Sequence, residues 1–189
     1  MNKLKYLLFL VPVMAVLLFS SFNSNKGTTT KITKEDLVWH TDIKEAMDLA
    51  KKEDKPLFLF FTGSDWCGWC IRLQKEVFKT PEFEAWAKEK VVLVELDFPR
   101  RTEQTAELKT QNMQLQQAFA VQGFPTVWFA KADNKSGKIN FEQLGSTGYV
   151  AGGPSVWLSG ADQIIAKFVH DPKMAKKNMP KPTKVKVKK

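Results

Sequence analysis

Residues 57–70 read LFLFFTGSDWCGWC, and this stretch decides the fold. Its first five residues, Leu57 to Phe61, form a continuous apolar run of strand length, which predicts a strand buried on both faces and therefore central in a sheet. A short loop, Thr62 to Trp66, follows this strand. The loop delivers Cys67 and Cys70, the only two cysteines of the chain, to a junction between strand and helix.

The three-residue spacing of the cysteines indicates that their two sulfurs act together. On a helix that begins near Cys67, residues i and i+3 share a face, so the sulfurs can bond without a large backbone movement. Free N–H groups and the positive end of the helix stabilise a thiolate at the helix start. We therefore interpret Cys67 as the candidate nucleophile and Cys70, one turn further on and less exposed, as the candidate resolving thiol.

Several other roles compete with thiol–disulfide exchange. Structural zinc normally takes four Cys or His ligands, and His40 and His170 lie near opposite ends of the domain. Covalent haem requires a histidine directly after the second cysteine, where Ile71 stands. A purely structural disulfide that closes so small a loop constrains the unfolded chain little. Exchange chemistry is the favoured interpretation, and binding of copper(I), which thiolates also favour, stays as an alternative.

Helical and strand patterns alternate along the rest of the central region. Asp42 begins a capping box, and apolar residues at helical spacing continue to the break at Asp54-Lys55-Pro56. Thr80-Pro81-Glu82 restarts or kinks the helix that follows the cysteines. These patterns predict one mixed α/β domain, with further strands at 91–96, 126–130 and 139–144, the last two forming a hairpin, and helices over 103–120 and from Ser159 onward.

The two ends of the chain differ in composition from the centre. Residues 1–23 join two lysines to an apolar run, which is typical of an export signal, with an uncleaved anchor as the alternative because no clean cleavage motif follows. We expect residues 24–34 to be a linker, residues 35–171 the folded domain and residues 172–189 a disordered lysine-rich tail. The domain is then expected in the periplasm or an equivalent exported location.

The tail carries most of the positive charge. The 189-residue chain has a formal charge of +9, and the tail supplies eight lysines and no acidic residue, so the remainder is nearly neutral. Such a tail could make weak contact with an anionic membrane surface, or simply remain solvated. Nucleic acid is not an expected partner, because the domain has no patch of interleaved basic and aromatic residues.

Three motifs occur together in the chain. Trp66-Cys67-Gly68-Trp69-Cys70 follows an apolar strand, Asp97 closes the next strand, and Gly123-Phe124-Pro125-Thr126 opens another. The combination resembles the thioredoxin superfamily, in particular exported bacterial thioredoxin-like proteins with a WCxWC centre. This resemblance implies a thioredoxin-like fold, in which a central mixed sheet is flanked by helices, and an exposed Cys67 at a helix start.

The resemblance also implies how a substrate binds. The Phe124–Pro125 bond would be cis, and these two residues would hold a substrate's backbone beside the reactive sulfur. Trp66 would pack next to them, and Gly68 and Trp69 complete the candidate substrate-binding set.

Three positions depart from the resembled pattern. Typical thioredoxins carry a buried aspartate six residues before the first cysteine, where this chain has Phe61. We expect the lysine that usually faces this aspartate to be replaced by Leu93. Trp69 stands where a proline is usual between the cysteines. Such changes alter thiolate stability and hence the reduction potential, in a direction that the sequence does not reveal.

The cysteine chemistry and the resemblance together predict a thiol–disulfide oxidoreductase of the cell envelope that reduces protein disulfides. Its partners would be disulfide-containing exported proteins and a membrane-embedded thiol donor, and it would need no organic cofactor and no metal. An oxidase or isomerase would use the same residues. The alternative is a thioredoxin-fold binding or copper(I)-handling module without turnover, for which Met174 and Met179 are further thioether candidates.

Overall fold

A five-stranded sheet is built around the apolar strand at 57–62. The computed structural model describes residues 37–133 and 140–173. In spatial order the strands are β1 (Trp39–His40), β3 (Val92–Asp97), β2 (Leu57–Thr62), β4 (Thr126–Asp133) and β5 (Asn140–Thr147). The first three run parallel, whereas β4 is antiparallel to β2 and β5 is antiparallel to β4, so the sheet is mixed as predicted.

Helices cover both faces of this sheet. They are α1 (Ile43–Glu53), α2 (Gly68–Leu73) with its π-helical continuation Gln74–Phe78, α3 (Pro81–Lys90), α4 (Ala106–Ala118) and α5 (Gly153–Ile165). Side chains of α2, α3 and α5 pack on one face, which we call the cysteine face because both cysteines belong to that core. Side chains of α1 and α4 pack on the opposite face. The predicted sheet flanked by helices is confirmed.

Strand β2 supplies side chains to both cores. Phe58 and Phe60 enter the core on the cysteine face, whereas Leu57, Leu59 and Phe61 enter the core on the opposite face. All residues of β2 are buried. Phe58 lies within an aromatic cluster formed by Trp39, Phe78, Phe83, Trp86, Phe129 and Trp157. The strand is central because both of its faces must be covered by other apolar groups.

Two helix starts follow their local signals. The carboxylate of Asp42 accepts the backbone N–H of Lys44 at 2.7 Å and caps α1. The hydroxyl of Thr80 accepts the N–H of Phe83 at 3.3 Å, and Pro81 stands in the first turn of α3. Both caps satisfy donors that a helix end would otherwise leave without a partner.

The helix expected over 103–120 is shorter than predicted. It begins at Ala106, because the hydroxyl of Thr105 accepts the N–H of Leu108 and caps the helix there. Phe119 lies just beyond its last turn and is buried. The preceding residues form part of a loop that contacts Asp65 and Trp66.

The prediction that the last helix begins at Ser159 is also wrong. Helix α5 begins at Gly153, and Gly152 before it has a φ of 116°, a left-handed conformation that favours glycine. A proline occupies the first turn, where its missing N–H costs nothing. Trp157, which precedes the predicted start, is buried in this helix on the cysteine face.

Other boundaries also differ from expectation. The hairpin strands extend to Asp133 and from Asn140 to Thr147, so they are longer than predicted, and their connection lies outside the described residues. The two-residue strand β1 was not predicted from the sequence. The expected signal or anchor, the linker and residues 174–189 of the tail also lie outside the described residues. Within the described ranges, no helix combines the length and hydrophobicity needed to cross a bilayer.

Candidate active site

The loop between β2 and α2 is bound to the end of β3. The carboxylate of Asp97 accepts the backbone N–H of Ser64 at 2.8 Å and its hydroxyl at 2.6 Å. The carbonyl oxygen of Gly63 accepts the N–H groups of Trp66 at 3.3 Å and Cys67 at 2.8 Å. These bonds turn the chain from the central strand into α2 within a few residues, and so place the first cysteine at the carboxyl end of β2.

Cys67 and Cys70 form a disulfide at the start of α2. Their sulfurs lie 2.06 Å apart and their Cα atoms 5.2 Å apart. Cys67 is the N-cap of α2, and its Sγ accepts the backbone N–H of Cys70 at 3.2 Å. This N–H and the positive end of the helix would stabilise negative charge on the Sγ of Cys67 once the disulfide is reduced.

The two cysteines differ in exposure in the expected order but not to the expected degree. Cys70 is completely buried, and Cys67 is 6% exposed. The expectation of an exposed Cys67 is therefore wrong for this oxidised form, because the bonded sulfur and the core on the cysteine face cover most of its side chain. Of the two cysteines, only Cys67 keeps any accessible surface.

One aromatic wall, which we call the Trp66 wall, consists of Trp66 and Phe124. Their ring centroids lie 5.9 Å apart. The Nε1 of Trp66 donates to the carbonyl oxygen of Phe98 at 2.8 Å, and the guanidinium of Arg100 lies 3.8 Å from the centroid of the indole. The Phe124–Pro125 peptide bond is cis, as the resemblance implies. The structure therefore places three of the candidate substrate-binding residues together.

A second aromatic wall, the Trp69 wall, consists of Trp69 and Tyr149 with ring centroids 5.0 Å apart. The hydroxyl of Tyr149 donates to a carboxylate oxygen of Glu76 at 2.7 Å. The Nε of Arg72 donates to the other carboxylate oxygen at 2.8 Å, and its guanidinium lies 5.4 Å from the Trp69 ring and 5.1 Å from the Tyr149 ring. Four side chains thus form a closed set of contacts.

The hydrogen bond between Tyr149 and Glu76 affects the pKa values of both groups. The hydrogen bond from Tyr149, followed by the one from Arg72, lowers the pKa of Glu76 below its usual range. The same bond to a carboxylate raises the pKa of Tyr149. Glu76 is therefore ionised and Tyr149 protonated across neutral pH, so this contact persists under physiological conditions.

The segment before α5 connects the two walls. A Cβ atom on Gly148 would lie 3.2 Å from the carbonyl oxygen of Pro125, so this backbone packs directly against the cis-proline strand. The Nε1 of Trp157 donates to the carbonyl oxygen of Gly148 at 2.9 Å and holds the segment there. Tyr149 consequently belongs to the same surface as Pro125. Gly68 is exposed and has open space around its Cα, so no contact in the structure requires glycine at that position.

Asp65 is a further residue of the site that the sequence reading missed. Its carboxylate accepts the backbone N–H groups of Arg100 at 3.0 Å, Arg101 at 2.7 Å and Thr102 at 3.2 Å. These bonds, with that of Arg100 the strongest contributor, lower the pKa of Asp65. The carboxylate fixes the loop that places Arg100 over Trp66. The only signal in the sequence was an acidic residue in a turn, which does not reveal its distant partners.

The residues expected to replace the usual acid–lysine pair do not face each other. Phe61 is in register with Leu96, and both side chains lie in the core opposite the cysteine face. Leu93 is in register with Phe58 on the cysteine face, so the expectation that it faces Phe61 is wrong. Leu93 lies three residues before Leu96, the partner of Phe61, and residues an odd number apart on a strand point to opposite faces.

A carboxyl group does lie on the cysteine face of β3. Glu95 is in register with Phe60, which points to that face. Burial, followed by the nearby charge of Asp97, raises the pKa of Glu95. Thr62, further along β2, has a buried Oγ1 with no hydrogen-bond partner in the described part of the chain. The sequence reading assigned no role to either side chain.

Comparison with known proteins agrees with this architecture. A family model described as a thioredoxin-like domain matches residues 43–147, which is more than half of the chain and includes both cysteines and the cis proline. The chain belongs to the thioredoxin-like domain family.

Individual relatives narrow the class further. Disulfide bond reductase DsbH of Chlamydia pneumoniae is 37% identical over 128 residues, which cover 67% of this chain and 76% of that protein. Thioredoxin-related protein DsbJ of the same organism is 33% identical over 113 residues, or 60% of this chain, but the match covers only 32% of that protein. A solved structure of a DsbH oxidoreductase superposes with a TM-score of 0.62 at 33% identity, covering 70% of this chain and 86% of that one. With the paired cysteines, these likenesses show a thiol–disulfide oxidoreductase.

The alternative of metal handling depends on ligands besides the two cysteines. In residues 37–133 and 140–173, no three His, Cys, Asp or Glu side chains cluster in a way that could hold a metal ion. Met174 and Met179, the further thioether candidates, lie outside those ranges.

Proposed function

We propose that this chain is a protein-disulfide reductase of the cell envelope. The observation that carries the proposal is the asymmetry of the cysteine pair: Cys67 caps α2, accepts the N–H of Cys70 and keeps the accessible surface, whereas Cys70 is completely buried. A nucleophile must be reached by its substrate, and a resolving thiol need only reach the nucleophile. The likeness to a disulfide bond reductase supports the same direction.

The reaction would begin from the dithiol form. The thiolate of Cys67 attacks one sulfur of a substrate disulfide, forms a mixed disulfide and displaces the other substrate sulfur, which takes up a proton. Cys70 then loses its proton and attacks the Sγ of Cys67, which releases the second substrate thiol. The substrate gains two electrons and two protons, and the enzyme is left with the Cys67–Cys70 disulfide that the structure contains. No organic cofactor takes part.

Catalytic turnover then requires a source of electrons outside the chain. A membrane-embedded thiol donor would restore the dithiol by the same exchange in reverse, and disulfide-containing exported proteins would be the substrates. The reduction potential of the Cys67–Cys70 pair tests this direction, because values near −270 mV are typical of thioredoxin and values near −120 mV belong to a strong oxidant. We expect a value within about 30 mV of the thioredoxin potential. A potential near that of the oxidant would reverse the assigned direction.

Trapping of the mixed disulfide tests the roles of the two sulfurs. We expect Cys70→Ser, incubated with oxidised insulin as a disulfide-containing probe, to accumulate a covalent adduct on non-reducing gels because resolution is blocked. Cys67→Ser should form no such adduct, since its remaining sulfur is buried, and the double serine variant is the matched control. Adducts of equal yield with both single variants would contradict the assigned roles, and absence of adduct from both would contradict exchange itself.

The location in the envelope rests on residues 1–23 and is tested separately. A fusion of residues 1–36 to a reporter enzyme that is active only outside the cytoplasm should yield activity in a bacterial host. Replacement of the apolar run by serines should abolish that activity. A reporter that stays inactive with the native segment would place the protein on the cytoplasmic side.

A further inference from the structure

The Trp69 wall is an unusual feature to find on the surface next to a reactive disulfide. Trp69 is 55% exposed, yet the side chains of Tyr149 and Arg72 both lie against its indole. Tyr149 contacts its ring, and Glu76 anchors the hydroxyl of Tyr149 from the π-helical segment. An exposed indole that only filled surface would not need such support.

We propose that Tyr149, anchored by Glu76, positions Trp69 as a specificity surface for substrates that carry an aromatic or aliphatic residue next to the reacting cysteine. This inference rests on the reductase function proposed above and names the substrate class of the same site. Tyr149 acts here as a positioning residue, and Trp69 as the residue in contact with the substrate.

The charges of the wall favour an apolar occupant. The guanidinium of Arg72 and the carboxylate of Glu76 form an ion pair with a 2.8 Å contact, so the two charges of this set offset each other. The hydroxyl of Tyr149 is likewise occupied by Glu76. What the wall offers to a partner is the indole of Trp69 and, beside Tyr149, the 40% exposed side chain of Val150. A flat or branched apolar side chain would gain contact area there without leaving a polar group unpaired.

The position of the wall identifies which part of the substrate it contacts. Trp69 immediately precedes Cys70 in α2, and the segment that carries Tyr149 packs against Pro125 through Gly148. The Trp69 wall therefore adjoins the disulfide on one side and the cis-proline strand on the other. An extended substrate segment that brings its own cysteine to Cys67 must pass between these features, so the residue flanking that cysteine is the one within reach of Trp69.

Two matched peptide substrates, both measured with the same enzyme variant, test this inference. Two peptides with an internal disulfide differ only in the residue next to one cysteine, which is Phe in one and Ser in the other. The ratio of their kcat/KM values cancels any change in the intrinsic reactivity of the thiols, which substitution of Trp69 could alter. For the wild type we expect the Phe peptide to be favoured about tenfold, mainly through KM, in keeping with the strength of aromatic pairs.

Four variants separate the contributions of Trp69, Tyr149 and the hydrogen bond to Glu76 to this preference. Trp69→Ala and Tyr149→Ala should bring the ratio close to one, and Tyr149→Phe, which keeps the ring but loses the bond to Glu76, should give an intermediate ratio. Met113→Ala is the matched control, because Met113 is 55% exposed on α4 and α4 packs on the opposite face of the sheet. Its ratio should equal that of the wild type.

Failure of the inference can be distinguished from failure of the proposed function. A small aromatic disulfide such as 5,5′-dithiobis(2-nitrobenzoic acid) has no flanking residue and reports exchange alone. If the wild type and Met113→Ala reduce this reagent but show no preference between the peptides, or if Tyr149→Ala retains the full preference, the inference is wrong and the reductase function stands. If the reduced wild type reacts with no disulfide, the proposed function itself is wrong.

Discussion

Substitution of Gly63 by alanine adds a single methyl group, and this group should disturb the active site. A Cβ atom at this position would lie 2.5 Å from Nε1 and 2.8 Å from Cζ2 of Trp66, with Cε2 closer still. These separations are far below van der Waals contact, and the atoms in the way belong to a rigid ring. Gly63→Ala must therefore displace the indole of Trp66 from its place in the Trp66 wall.

The cost follows from the contacts that Trp66 would lose. The hydrogen bond from Nε1 to the carbonyl oxygen of Phe98 contributes about 1 kcal/mol. The aromatic contact with Phe124 contributes about 0.5–1.5 kcal/mol, and the stacking of Arg100 contributes about 0.5–1 kcal/mol. We expect Gly63→Ala to lower the free energy of unfolding by roughly 2–3.5 kcal/mol in total. We also expect it to raise the KM for protein disulfides, because one wall of the binding surface has moved.

Urea unfolding followed by circular dichroism measures the first effect, and steady-state reduction of insulin measures the second. Gly160→Ala is the matched control, because Gly160 is an exposed residue within α5 and a Cβ there meets no atom within 4 Å. Alanine at that position should raise the stability by about 0.5–1 kcal/mol, since glycine weakens a helix interior. The reasoning is refuted if both alanine variants change stability in the same direction, or if Gly63→Ala leaves the KM unchanged.

Three further substitutions test the two cores. Phe58→Ala should cost about 3–5 kcal/mol in urea unfolding, because it empties the centre of the aromatic cluster, and a loss below 1 kcal/mol would show that the cluster does not depend on this ring. Thr62→Val should raise stability by about 1 kcal/mol, because the buried Oγ1 has no partner in the described part of the chain; a loss instead would point to a polar contact at that site. Glu95→Gln removes a carboxyl group whose pKa is raised in the folded state. Folding therefore favours the protonated form, so the stability that protonated Glu95 contributes is complete at acid pH and is lost as pH rises through the folded-state pKa. The variant should therefore be more stable than the wild type at pH 8 and equal to it near pH 3, and a gap of the same size at both pH values would contradict the assignment.

Short stretches of sequence were sufficient to predict the central strand of the fold and the pairing of the two cysteines. The apolar run of β2 predicts a central strand without reference to any other element, because a strand with two apolar faces must be covered on both. The spacing of Cys67 and Cys70 predicts their disulfide in the same way, since one helical turn brings the two sulfurs together. The cap at Asp42 is also local and was predicted correctly, and the break at Thr80-Pro81 follows from the same kind of local signal.

Errors arose where the deciding contact came from a distant residue. Helix α5 begins at Gly153, well before the predicted start at Ser159, and its Trp157 packs in the core on the cysteine face against rings from α3 and β2. The pairing of Leu93 with Phe61 failed because the register between β2 and β3 is set by the packing of both faces at once. Neither the strand nor the helix alone contains that information.

The sequence by itself thus determined that a strand leads into a helix with two sulfurs one turn apart, because each of those features depends on neighbours within a few residues. Only the tertiary structure decided what surrounds the sulfurs. Tyr149 and Glu76 are far apart along the chain but share a 2.7 Å hydrogen bond, and Asp65 receives three N–H groups from a loop beyond β3. Such contacts form only when the sheet and its helices bring remote segments together, so the walls that flank the disulfide could not be predicted from any one stretch of the chain.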